Sequence, residues 1–321
     1  MWQRVRKTIL YLLAILILLV GVGTAYQWYG SAQDTKSYIP VGKIYNVADH
    51  KMHLFTEGEG DTTVVFASGW GTASPYADFY PLYAGLSPYM KIAIYDRFGY
   101  GFSDTTDKER DIDTITDEIH ELLQVSGQKP PYIFVGHSLG SLETIRYAQR
   151  FPDEVKAILL LDGGSPEYYA SQKPITLMPI IHRVVRTTGA IRALSHLNGF
   201  NEWINDQSNG QKLLPEDLKE LYSKAMLLKI GNRDMTDEIR QSQTNAQIIL
   251  ENKKQLDIPI IVLTADYFGK LSDDKAWMDS QAELPSWSAS GKQIVVPDSS
   301  HYIHSYKPEL VVDELLQLVE R

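Results

Sequence analysis

The longest hydrophobic run in the chain lies at its start. From Ile9 to Val22 almost every position is apolar, and the run reaches Tyr26 if Gly23, Thr24 and Ala25 are tolerated. A helix needs about 20 such residues to cross a bilayer. Arg4, Arg6 and Lys7 precede the run, and no acidic residue occurs before Asp34. The positive flank should stay in the cytoplasm, with Tyr26, Trp28 and Tyr29 at the opposite interface. The pattern predicts a single-pass membrane anchor over residues 1–29, with the rest of the chain outside the cytoplasm. The alternative is a signal peptide cut at Gly23-Thr24-Ala25, giving a secreted protein. The run is long for a signal peptide, which favours the anchor. Residues 30–41 are polar, end near Pro40 and read as a linker.

Beyond the linker the periodicity changes. Lys43–Val47 and Met52–Glu57 alternate as strands do, joined by a turn at Asp49-His50. Short apolar runs at Tyr132–Val135 and Val155–Leu161 read as buried strands, as do Ile258–Thr264 and Gln293–Val296. Helical spacing is found near Pro75–Gly85 and over Thr114–Val125, and an amphipathic helix opens at Pro308. Strands alternating with helices predict a mostly parallel sheet with helices on both faces, an α/β fold. From about Ser165 to Leu256 the alternation stops. Helices are expected there at Ile175–Thr187, Ile191–Leu197, Pro215–Lys229 and Thr236–Asn252. No internal repeat is visible.

Composition narrows the function. The 321 residues are 44% hydrophobic and 22% charged, enough for a sizeable core. The formal charge of −9 and the lack of a basic stripe argue against a nucleic-acid partner. There is no cysteine, which excludes disulfides and thiolate metal sites. His50 and His53 lie on a polar hairpin without a third ligand and read as surface residues rather than a metal pair. No metal and no cofactor is implied.

The chemistry concentrates at Gly136-His137-Ser138-Leu139-Gly140. The stretch follows a buried strand and precedes Ser141–Ala148, where Leu142, Ile145 and Ala148 recur at helical spacing. A serine on so sharp a strand-to-helix turn is a nucleophile elbow. The flanking glycines let strand and helix approach, and the helix N-terminus favours the negative charge of acyl transfer.

Three further segments extend this into a resemblance to the α/β-hydrolase family over nearly all of residues 41–321. Val64-Val65-Phe66-Ala67-Ser68-Gly69-Trp70-Gly71 resembles the family's third strand and oxyanion loop, with Ser68 where histidine is usual. Asp96-Arg97-Phe98-Gly99-Tyr100-Gly101-Phe102-Ser103 is similar to its D-R-x-G-x-G-x-S turn. Pro297-Asp298-Ser299-Ser300-His301 resembles the loop of the catalytic histidine, with Pro308 at the usual interval. The resemblance implies a helical cap over the active site at about residues 165–256 of a domain spanning 42–321. Leu177, Met178, Ile181, Phe200, Trp203, Met226 and Leu227 are candidate cap residues facing the substrate.

A serine nucleophile needs a base, and His301 is the candidate, ahead of His304. His137 is expected to point away from the serine. The acid stays open. Asp162 follows the strand Ile158–Leu161 and resembles family members whose acid comes from that strand. Asp266 follows the next strand, where most members carry theirs. Asp162 is favoured. Backbone N–H groups of Trp70 and Leu139 are the expected oxyanion hole. The expected function is serine hydrolysis of a carboxylic ester or related small-molecule acyl substrate. Hydrolysis of a C–C bond and acyl transfer are alternatives on the same triad. Ser138 in place of an aspartate argues against the family's dehalogenase and epoxide-hydrolase chemistry. A non-catalytic, membrane-tethered binding protein on this scaffold is the alternative from another class.

Overall fold

The structure is a computed structural model, and it describes residues 1–197, 199, 210–269 and 275–319. Eight strands form one sheet: β1 (Lys43–Val47), β2 (His50–Glu57), β3 (Thr63–Ala67), β4 (Lys91–Asp96), β5 (Tyr132–His137), β6 (Val155–Leu161), β7 (Ile260–Ala265) and β8 (Gly291–Val296). Their order is β1-β2-β4-β3-β5-β6-β7-β8. β1 and β2 form an antiparallel hairpin whose turn residues Ala48 and Asp49 both have positive φ, and β2 runs antiparallel to β4. The strands from β4 to β8 are mutually parallel.

Side chains of a strand alternate between faces, and here both faces are covered. Val65, Ala67, Ala93, Tyr95, Phe134, Ile158 and Leu160 pack in one core with α4 (Ile112–Val125) and α5 (Gly140–Arg150). Val64, Phe66, Ile92, Ile94, Ile133, Val135, Leu159 and Leu161 pack in the other. That second core is closed by α3 (Tyr80–Leu86), just after the short α2 (Pro75–Asp78), and by the last helix, Pro308–Val319. Burial on both faces explains why the central strands read as continuous apolar runs.

Between β6 and β7 lie α6 (Pro166–Ser171), α7 (Leu177–Thr187), α8 (Ala190–Leu194), α9 (Glu216–Lys229) and α10 (Arg233–Glu251). These fall where the cap was expected; Phe200 and Trp203 lie outside the described residues.

The N-terminal helix α1 runs from Trp2 to Ser37 without interruption. Residues 30–37, expected to be linker, are therefore helical. Their polar side chains suit a solvated helix face, and Asp34 is fixed by an ion pair to Arg192 at 2.7 Å. Among the described residues α1 is the one helix long and apolar enough to cross a membrane. Its apolar side chains from Ile9 to Val22 lie uncovered by protein.

Candidate active site

Ser138 joins β5 to α5 with φ of +52°, a region that residues with a side chain rarely occupy. Its backbone is held by the loop after β6. The Ser138 N–H donates to Leu161 O at 3.3 Å, and its carbonyl accepts from Gly164 N–H at 2.9 Å and from the Ser141 hydroxyl at 2.7 Å. Such over-determined contacts are what keep a strained residue in place. Gly140 sits so close to the end of β3 that a Cβ there would lie 2.6 Å from Ala67 O and 2.7 Å from Ser68 O. The elbow glycine is required by this approach.

The structure brings His301 to Asp162. Nδ1 of His301 lies 2.7 Å from Oδ2 of Asp162, whose side chain is fully buried. Asp162 also accepts from Ala265 N–H at 3.1 Å, the Tyr267 hydroxyl at 2.7 Å and the Trp277 indole N–H at 3.2 Å. Asp266 stands apart. Its Oδ1 accepts from the N–H groups of Phe268 and Ser299, both at 3.0 Å, which shapes the neighbouring loop. Desolvation acts against it, yet the N–H groups of Ser299, Asp298, Phe268 and Gly269 hold this carboxyl below its ordinary range.

The Ser68–Gly71 loop after β3 is set from beneath by Arg97. This buried guanidinium donates to Ser68 O at 2.8 Å and to Gly69 O at 3.2 Å, and is itself held by Glu143 at 2.6 Å and Glu238 at 3.2 Å. The C=O and the N–H of a trans peptide point in opposite directions. Pulling the Gly69 carbonyl down towards Arg97 therefore turns the Trp70 N–H up, away from the guanidinium. Among the described residues neither the Trp70 nor the Leu139 backbone N–H has an acceptor. The Trp70 indole N–H donates to Met235 O at 2.7 Å, anchoring the loop to α10.

His137, which lines the same cavity as Ser138, supports the loop of His301. Its Nε2–H donates to His301 O at 3.0 Å. Burial, then the nearby His304 and His301, push its pKa well below the ordinary histidine value. His304 is buried, with Nε2 3.3 Å from Asp78 Oδ2. Asp78, His137 and His304 each offer one ligand atom within 4.8 Å of the others, a donor set able to hold a metal ion. His53, expected at the surface, is fully buried, because its Nδ1 pairs with Asp96 at 2.7 Å and so braces the D-R turn.

These groups meet a cavity of about 510 Å³. Gly69, Trp70, Ser138 and His301 line its floor, under walls that include Tyr168, Tyr169, Trp277, Ile239, Tyr222, Ile175 and His182. The candidate wall residues Leu177, Met178, Ile181, Met226 and Leu227 are not among the lining. Leu177, Met178 and Ile181 are exposed instead, because α7 turns that face outwards. Sequence reasoning missed Tyr169, which lines the same cavity as Ser138. It also missed the buried role of Arg97, although the D-R turn that carries it was visible.

The family model for the alpha/beta hydrolase fold matches residues 62–308. The chain belongs to that family. It is 30% identical to the uncharacterized protein YbdG of Bacillus subtilis (strain 168) over 97% of this chain and 95% of that one. It is 31% identical to a pimeloyl-[acyl-carrier protein] methyl ester esterase of Shewanella woodyi over 38% of this chain and 43% of that one. Among solved structures it is similar to an epoxide hydrolase of Vigna radiata, with a TM-score of 0.65 and 18% identity over 87% of this chain and 97% of that one.

Proposed function

We propose that this α/β hydrolase cleaves carboxylic esters or related acyl compounds with Ser138 as nucleophile, His301 as base and Asp162 as the orienting acid. The observation that carries the reading is the His301–Asp162 contact of 2.7 Å at a cavity whose floor holds Ser138 on a positive-φ elbow. Nε2 of His301 takes the proton as Ser138 Oγ attacks the acyl carbon. Asp162 fixes the ring tautomer and stabilises the imidazolium that forms. The Trp70 and Leu139 N–H groups receive the oxyanion, each worth about 2.7–4 kcal/mol in the transition state. His301 then protonates the leaving alcohol, and water releases the acyl group by the same steps in reverse roles. A serine at 138 favours this over a carboxylate-nucleophile reaction, and the Shewanella esterase is a relative whose name carries ester chemistry.

In this reading α1 is an uncleaved anchor with its N-terminus inside and the catalytic domain outside the cytoplasm. The contact of Gly23 with Thr188 and Gly189 supports the anchor, since cleavage at Gly23-Thr24-Ala25 would remove it. The test is hydrolysis of 4-nitrophenyl esters of graded acyl length by the full chain in detergent. Ser138→Ala should lower turnover by on the order of 10⁶-fold. Undiminished turnover in that variant overturns the proposal.

A further inference from the structure

The cap is fastened directly to the anchor helix. Gly23 of α1 meets the Thr188 carbonyl and Gly189 at the α7–α8 turn. The Tyr26 hydroxyl lies 2.8 Å from Nε2 of His196. The buried Gln27 donates to Leu227 O at 2.9 Å and accepts from Arg192 Nε at 2.9 Å. Asp34 pairs with the same guanidinium at 2.7 Å. Positions 23, 26, 27, 30 and 34 share one helix face, so α1 meets the cap along a single face over three turns.

This contact fixes depth. A membrane span beginning near Thr8 ends about 20 residues later, near Gln27. Gly23 lies about four residues, or roughly 6 Å, inside that end. The α7–α8 turn packed on Gly23 must therefore sit within the outer interface of the bilayer.

The helix that leads into this turn is inside-out. On α7, Arg183 and Arg186 point inwards, donating to Gly231 O at 3.4 Å and Ile230 O at 2.7 Å. Leu177, Met178, Ile180, Ile181 and Val184 face outwards, with exposures of 42% to 66%. A surface helix in water carries the opposite pattern. An outward apolar face on a helix tied to a membrane span is how an interfacial helix lies in the headgroup–acyl boundary. The patch continues into the active site. Ile175, just before α7, is 53% exposed and also lines the cavity, as does His182 of α7.

We propose that the α7 face is seated in the outer leaflet of the phospholipid bilayer that α1 spans, and that the cavity takes its substrate, the acyl ester of a membrane amphiphile, from that leaflet. The proposal rests on the anchored serine-hydrolase reading. The leaflet is the occupant because α1 delivers the patch to it, and the patch opens on the walls that would receive an acyl chain.

The absence of cysteine makes the test direct. Ile180→Cys in the full chain, labelled with bimane and reconstituted in phosphatidylcholine–phosphatidylglycerol vesicles, should be quenched by lipid-borne nitroxide and shielded from iodide. Lys129→Cys, exposed before β5 at the other end of the sheet, should behave oppositely. Ile180→Glu combined with Val184→Glu should slow hydrolysis of bilayer-embedded 4-methylumbelliferyl oleate at least 10-fold. Its rate on soluble 4-methylumbelliferyl acetate should stay within twofold, which also reports intact folding. An Ile180 label open to iodide and untouched by the nitroxide overturns the proposal, as does an unchanged oleate rate. Wild type that hydrolyses neither ester contradicts the hydrolase reading, while the quenching still decides where α7 lies. Release of the protein from vesicles by alkaline carbonate contradicts the anchor, and this proposal with it.

Discussion

Asp162, under the floor of the cavity, accepts hydrogen bonds from four donors, whereas α7 on the roof turns five apolar side chains outwards and its arginines in. Beneath the floor, the charged groups Asp162 and Arg97 are buried and paired. On the roof, apolar groups face the surroundings. The difference separates two jobs. If the proposed triad carries the reaction, changing floor residues should lower turnover for every ester. If α7 is seated in the leaflet as proposed, changing its outward residues should discriminate between esters.

The largest effect is expected at Asp162. Asp162→Asn keeps the shape but removes the charge facing His301, and turnover should fall by about 10⁴-fold. Asp266→Asn should stay within about threefold, because among the described residues Asp266 accepts from backbone N–H groups of its own and the neighbouring loop. Steady-state kinetics on one soluble ester compares the two. A severe loss in Asp266→Asn with Asp162→Asn near wild type would reverse the assignment.

Arg97→Lys comes next. Lysine keeps the charge near Glu143 but loses the fork that holds both Ser68 O and Gly69 O. With the Trp70 N–H no longer aimed, the rate constant for turnover should fall about 10²–10³-fold with little change in KM. Circular dichroism should show the fold retained. Unchanged turnover would mean the loop holds its own shape.

The smallest effect is one of pH. Burial beside His304 and His301 holds His137 below the histidine value of the unfolded chain. The unfolded chain therefore takes up this proton first. The stability contributed by neutral His137 is complete above about pH 6.5 and is lost as pH falls below it, by up to about 1.4 kcal/mol per pH unit. Urea titrations between pH 7 and 5 should show that slope in wild type and a slope smaller by one proton in His137→Gln. Equal slopes would place His137 in water.

Local pattern made much of this molecule legible. The strands after residue 42 follow from apolar runs, and the elbow from two glycines around Ser138 at a strand end. The remainder depends on contacts between distant segments. Residues 30–37 looked like linker because Gln33, Asp34 and Thr35 are polar, yet Asp34 has a partner 158 positions away in Arg192. The outward turn of Leu177, Met178 and Ile181 could not be read from periodicity, which shows that α7 has an apolar face but not which way that face is turned. Tyr169 gave no signal at all, since a tyrosine comes to line the cavity of Ser138 only once the loop after β6 folds back over the elbow.

Ser138 is the residue proposed to carry the acyl group. A fluorophosphonate reacts with an activated serine oxygen, losing fluoride and leaving a stable phosphonyl adduct that mass spectrometry can map. The full chain should carry one such adduct, on the peptide containing Ser138, and Ser138→Ala should carry none. An adduct that persists in Ser138→Ala, or lies on another residue of the wild type, would contradict the account.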